Sequence, residues 1–134
     1  MLDHIALEVA DLGRAARFYD AIMHALGGQR IVSSREGIGY GRDRPELWVL
    51  PSGDAVRPWG GGHVAIAAHG RRAVDAAHAA GLAAGGRDGG APAVRASGPG
   101  GLYSGYLVDP DGAYVELVSA AAGMIVGRAP SRER

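Results

Sequence analysis

Polar and apolar residues alternate from the start of the chain. In Asp3-His4-Ile5-Ala6-Leu7-Glu8-Val9, the residues His4, Ala6 and Glu8 share one face of an extended strand and Ile5, Leu7 and Val9 the other. The period then changes. Leu12, Ala15, Ala16, Tyr19, Ile22, Met23 and Leu26 recur at helical spacing, with Asp11 placed as a cap and Gly27-Gly28 as a stop. Short strand patterns follow over residues 30–34, 38–42 and 46–50, separated by Gly37 and by the turn-rich segment from Gly41 to Pro45. A loop over 51–61 leads to another strand pattern at 62–67, where His63, Ala65 and Ala67 share a face. An alanine-rich helix is predicted over about 71–84. Beyond it, 92–96 reads as a short strand, and the rest of the glycine-rich stretch from Gly85 to Gly101 has no regular pattern. Clear strands return at 103–108 and 113–119, around the turn Asp109-Pro110-Asp111-Gly112. In the last strand Tyr114, Glu116 and Val118 face one way and Val115 and Leu117 the other.

The two halves repeat one unit. Arg14-Ala15-Ala16 is echoed by Arg72-Ala73-Val74 and Gly27-Gly28 by Gly85-Gly86 at a common offset, and each unit carries a histidine at the start of its first strand. The pattern predicts an α+β domain of two tandem βαβββ modules, one over about 1–55 and one over about 60–122. The helices lie on the outer face and leave a concave mixed sheet open on the other. Residues 123–134 form a polar tail.

Composition narrows the chemistry. Lys plus Arg and Asp plus Glu each number 14, so no net charge favours nucleic acid or an anionic membrane surface, and a small-molecule partner is expected. The chain has no cysteine, which leaves any metal to His, Asp and Glu. No apolar run approaches the roughly 20 residues that span a bilayer. The strand pattern starts at once with no leader, so a cytoplasmic location is expected.

His4, His63 and Glu116 are the candidate metal ligands. Each lies on a strand whose opposite face is apolar (Ile5 and Leu7, Val64 and Ile66, Val115 and Leu117), so all three should point to the concave side. Two imidazoles and a carboxylate suit a divalent ion with open positions for substrate oxygens, whether zinc, nickel, manganese, cobalt or iron. Lone histidines on strands are also commonly structural.

These residues carry a family resemblance. His4-Ile5-Ala6-Leu7-Glu8-Val9-Ala10-Asp11-Leu12 with Phe18-Tyr19, then Gly62-His63-Val64-Ala65-Ile66, then Asp109-Pro110-Asp111-Gly112-Ala113-Tyr114-Val115-Glu116-Leu117 together resemble the vicinal oxygen chelate superfamily over residues 2–118. That superfamily contains glyoxalase I, the bleomycin-resistance proteins and the extradiol dioxygenases. The resemblance implies that residues at the positions of His4, His63 and Glu116 bind a divalent metal, which chelates two neighbouring substrate oxygens. It also implies a homodimer, sometimes with a site completed across the interface.

Several positions qualify it. Glyoxalase I has a fourth ligand, a glutamate, on the last strand of its first module. Here Glu46 and Trp48 share that face, and either fits the register: Glu46 as a ligand, Trp48 as a pocket wall binding substrate. Glu8 stands where glyoxalases tend to carry a basic residue for the glutathione carboxylate, which argues against glutathione. Tyr103 and Tyr106 have opposite parity. Comparison with relatives favours Tyr103 in the cavity, as a substrate contact or proton donor, and Tyr106 in the core. Tyr114 shares the face of Glu116 and is a further candidate substrate contact. Glu8 is a candidate base or a solvated strand end. Trp59 is either ligand-stacking surface or part of a dimer contact, and in this fold the 85–101 segment suits a lid. The leading expectation is a metal-dependent lyase, isomerase or dioxygenase, with Glu116, Tyr103 and Glu8 as catalytic candidates. The alternatives are a non-catalytic drug- or metabolite-binding protein and a metal-free relic of the fold.

Overall fold

The strand and helix patterns fold into β1(Ile5–Val9), α1(Leu12–Leu26), β2(Gln29–Ser34), β3(Gly37–Gly41), β4(Leu47–Pro51), β5(Val64–Ala67), α2(Arg71–Ala83), β6(Arg87–Arg95), β7(Leu102–Val108) and β8(Tyr114–Ala120). The structure is a computed structural model and describes residues 1–53, 56, 61–95 and 101–120. Trp59, the 123–134 tail and residues 96–100 of the glycine-rich segment lie outside the described residues.

The repeat is a repeat of topology. One four-stranded sheet has the order β1-β4-β3-β2 and the other β5-β8-β7-β6, so each module forms the same mixed sheet with its first strand at an edge. The first strand pairs in parallel with the last in both modules, Ala6 opposite Trp48 and Ala65 opposite Glu116. The concave mixed sheet predicted from the pattern is thus divided in two, β1 and β5 being the edges of separate sheets.

The helices end as their sequences direct. Asp11 caps α1 by accepting from the Arg14 N–H at 2.9 Å, and Gly27 closes it in the left-handed region at φ 78°. The buried stripe of α1 packs on its own sheet and against α2. Gly81 allows the helices to close: a Cβ there would stand 2.4 Å from Leu107 Cδ1, 3.0 Å from Ile22 Cγ2 and 3.2 Å from Phe18 Cε2. The core is shared, since Leu7, Val9 and Val49 of the first module and Val74, Leu107 and Leu117 of the second belong to one buried cluster.

One element departs from the pattern. Most of the 85–101 segment is the nine-residue strand β6 rather than irregular chain. It pairs only with β7, as an edge strand, and its register shifts at Gly90 and again before Ala93. An exposed edge that changes register has no period-2 burial to imprint on its residues, and Pro92 is tolerated because one side of the strand needs no donor. No helix among the described residues is long and apolar enough to cross a membrane.

Candidate functional site

The open face of the second sheet brings two of the three expected ligands together. Glu116 lies in the middle of β8 beside Ala65, while Leu117 on the opposite face is fully buried against the helices. His63 immediately precedes β5, and its Nε2 stands 3.0 Å from Glu116 Oε2. The imidazole is half-exposed and the carboxylate nearly buried, at 45% and 11% side-chain exposure.

Tyr106 is the third member of this cluster. It sits directly across β7–β8 from Glu116, and its ring meets the His63 ring edge-on with centroids 5.6 Å apart. Burial pushes the Tyr106 phenol above its usual pKa; the nearby Glu116 charge and a hydrogen bond to that carboxylate push it further the same way. The phenol therefore stays protonated at neutral pH, beside the carboxylate. The Arg95 guanidinium also lies over Tyr106, 5.2 Å from the ring centroid.

This geometry corrects the choice between the two tyrosines. Tyr103 belongs to the helix face of β7, where its hydroxyl donates to Asp75 Oδ1 of α2 and Arg71 covers its ring at 5.0 Å. The bond to Asp75 also raises its pKa. Tyr103 is thus directed away from Glu116, and the cavity roles considered for it are not supported by its position. The signal was present in the hairpin: counting outward from the Asp109–Gly112 turn pairs Val108 with Tyr114 and Tyr106 with Glu116. Tyr114 lies on the same face as Glu116, 45% exposed at the turn end of β8.

His4 does not join the pair. It precedes β1 with its Nδ1 2.7 Å from Asp3 Oδ1, and that hydrogen bond lowers the Asp3 pKa. Arg44 reaches Asp3 at 3.5 Å and Glu46 at 3.6 Å, so Glu46 is engaged in an exposed ion pair at the start of β4. Among the described residues no group of three His, Asp or Glu side chains is close enough to hold a metal ion. His4 lines a cavity of about 410 Å³ between the modules, with Met23, Leu26 and Leu47 on one side and Val64 and Ile66 on the other. That cavity does not take in His63 or Glu116. Trp48 faces the open side of the first sheet and lies over Gly39, leaving no room there for a Cβ; Glu8 is exposed two residues beyond Ala6.

The chemistry of the pair fits a divalent ion. Two donors bound at about 2.1 Å and seen from the metal at about 90–109° stand roughly 3.0–3.4 Å apart. The Nε2 to Oε2 separation of 3.0 Å falls in that interval. The same pair in the absence of metal is an ordinary His–Glu ion pair.

The paired βαβββ architecture is that of the vicinal oxygen chelate superfamily. The fold matches a glyoxalase/bleomycin resistance protein from Albidiferax ferrireducens T118 with a TM-score of 0.81 and 30% identity, covering 87% of this chain and 97% of that one. A glyoxalase-related enzyme from Fulvimarina pelagi matches with a TM-score of 0.70 and 25% identity, covering 89% and 87% of the two chains. A glyoxalase/bleomycin resistance protein/dioxygenase family enzyme from Burkholderia phytofirmans PsJN has the same fold, with a TM-score of 0.68 at 16% identity over 89% and 98%. No protein-family model and no curated protein matches the chain. The chain belongs to the glyoxalase/bleomycin resistance protein family.

Proposed function

We propose that this protein is a metal-dependent enzyme acting on a small molecule, with a divalent ion held by His63 and Glu116 of one chain and His4 of a second copy. The observation that carries this reading is the 3.0 Å contact between His63 Nε2 and Glu116 Oε2 on an open sheet face, with Tyr106 directly across from Glu116 on β7. The separation of His4 from that pair calls for a second chain, and β1 and β5 are edge strands of their sheets.

When bound, the ion supplies Lewis-acid polarisation of two neighbouring substrate oxygens, with lyase, isomerase or dioxygenase chemistry open to such a site. The chain's own residues do the rest. Glu116 presents one oxygen to His63 while the Tyr106 phenol holds the carboxylate from the side, fixing its rotamer. His63 keeps its ring upright against the edge of Tyr106. Glu8 and Tyr114, both exposed on open sheet faces, remain the candidates for proton transfer and substrate contact.

Elemental analysis of tag-free protein, combined with mixing of variants, tests the proposal. Wild-type protein should carry about one metal per chain, and His4→Ala, His63→Ala and Glu116→Ala alone should carry none. A mixed dimer of His4→Ala with His63→Ala should recover half the sites, because one of its two composite sites keeps all three ligands. Full occupancy in Glu116→Ala would refute the ligand set, and no recovery in the mixed dimer would refute the shared site. The second reading, a binding protein that sequesters its ligand unchanged, is favoured by the distance of His4 from the pair. It predicts no metal after reconstitution with any of the candidate ions and a stoichiometric complex from which the ligand is recovered intact.

A further inference from the structure

A cation lies on the ring that the His63–Glu116 pair also meets, that of Tyr106. Arg95, the last residue of β6, folds its side chain back across the open face of the second sheet. Its Nε donates to Ser104 Oγ at 3.1 Å and its Nη2 to the Ala91 carbonyl at 2.9 Å. Its guanidinium lies flat enough on Tyr106 to sit 5.2 Å from the ring centroid, and a Cβ on Gly90 would stand 3.0 Å from Nη2. Ser104 is fully buried beneath it. Among the described residues no carboxylate pairs with Arg95.

Neutral acceptors and an aromatic face fix a guanidinium in place without cancelling its charge, and a guanidinium has five N–H donors, of which two are used among the described residues. The ordering cost of a long side chain is therefore met before any ligand arrives. This differs from Arg30, which is spent on a two-point contact with Asp20, and from Arg14 and Arg44, each paired with carboxylates. One phenol ring, that of Tyr106, touches both groups: the guanidinium lies 5.2 Å and the His63 ring centroid 5.6 Å from its centroid. A molecule held at His63 and Glu116 by two neighbouring oxygens needs to extend only across that ring to reach Arg95.

We infer that Arg95, set by Ser104 and Tyr106, is the specificity-determining residue of this site, and that the substrate carries an oxyanion (a carboxylate or a phosphonate) about one aromatic ring away from its chelating oxygen pair. This rests on the metal reading above. The planar fork of the guanidinium accepts either oxyanion through two parallel N–H bonds.

The test uses cobalt-loaded dimer under nitrogen, titrated with 3,4-dihydroxybenzoate, with 3,4-dihydroxyphenylphosphonate and with the neutral isostere 3,4-dihydroxybenzamide, and followed by the visible cobalt spectrum. All three present the same vicinal oxygens, and only the first two carry a distal charge. The wild type should bind one or both anions at least tenfold more tightly than the amide, the larger preference marking a carboxylate or a phosphonate site. Arg95→Gln should bring the anion-to-amide ratio to about one while the amide affinity is unchanged, which also shows the variant to be intact. Arg95→Lys should keep part of the preference, and Ser104→Ala, which unclamps the guanidinium, should lower it severalfold. A wild-type ratio near one, or a ratio that survives in Arg95→Gln, overturns the inference while amide binding leaves the metal reading standing. No spectral change with any of the three overturns both.

Discussion

Removing a single hydroxyl tests how the two modules are tied together. Tyr19 on α1 is fully buried and donates at 2.6 Å to Asp109 Oδ2, at the turn between β7 and β8. Asp109 is itself 2% exposed, and its other oxygen accepts the Asp111 and Ala113 N–H groups at 2.9 and 2.8 Å. Tyr19→Phe keeps the ring, with its edge contact to Phe18 at 4.9 Å, and takes only the donor. Oδ2 is then buried with one donor fewer. A hydrogen bond to a charged group contributes about 1.5–3 kcal/mol, so the variant should lose about that much and melt roughly 6–12 °C lower.

The pH dependence isolates the same bond. Burial, followed by the charge of Asp109 and the hydrogen bond to it, raises the Tyr19 pKa well above its ordinary value of 10.0. A group whose folded pKa is raised contributes its full stability below the unfolded pKa and loses it as pH rises towards the folded one. Wild-type stability should therefore decline above pH 10 faster than that of Tyr19→Phe, and the gap between them should narrow by about 1.4 kcal/mol at pH 11. Urea unfolding followed by circular dichroism at pH 7, 9.5, 10.5 and 11 measures both quantities. Tyr40 and the other phenols are common to the two proteins and cancel. A gap below about 0.5 kcal/mol at pH 7, or one that stays constant to pH 11, would refute the reasoning.

Gly81→Ala should destabilise the protein by about 1–3 kcal/mol despite its better helix propensity, because Leu107, Ile22 and Phe18 already occupy the space of the new methyl; a lowered urea midpoint with an unchanged slope checks it. Asp11→Ala should cost about 1 kcal/mol by uncapping α1, read from the same unfolding curves. Tyr106→Phe should weaken metal binding about 10- to 100-fold, as loss of a bond to a ligating carboxylate does, while Tyr103→Phe leaves it unchanged; competition with a chromophoric chelator measures both.

The elements that were legible in the sequence are those whose burial imposes a period. Strand β1 alternates because Leu7 and Val9 pack on α1 while Ala6 and Glu8 face outward, and α1 has a helical stripe because seven of its residues enter the shared core. Asp11 and Gly27 mark the ends of α1 by local chemistry alone. Strand β6 was legible only in part, as the short strand over 92–96, for the converse reason: among the described residues it has one neighbour, shifts register at Gly90 and buries none of its residues fully, so its first half carries no period. Its pairing with β7 also brings Arg95 over Tyr106, a juxtaposition that the short 92–96 pattern alone does not show.

The site was legible to the same depth. Strand parity identifies which side chains point to the open faces, and His63 and Glu116 do meet there. Parity also permits either tyrosine of β7, and only the hairpin register around Asp109–Gly112 separates them. What parity does not contain is which open faces look at one another. Within the chain that is decided by the packing of α1 on α2 through Gly81, a contact on the far side of both sheets. The packing joins the modules by their helices, leaves β1 and β5 as edges of separate sheets, and puts His4 in the cavity between them instead of beside Glu116. The repeat that first pointed to a three-ligand site thus leaves His63 and Glu116 together and His4 apart from them. The proposed ligand set, split in this way, would be complete only where two chains bring unlike halves together, which is why the mixed dimer of His4→Ala and His63→Ala is more informative than either variant alone.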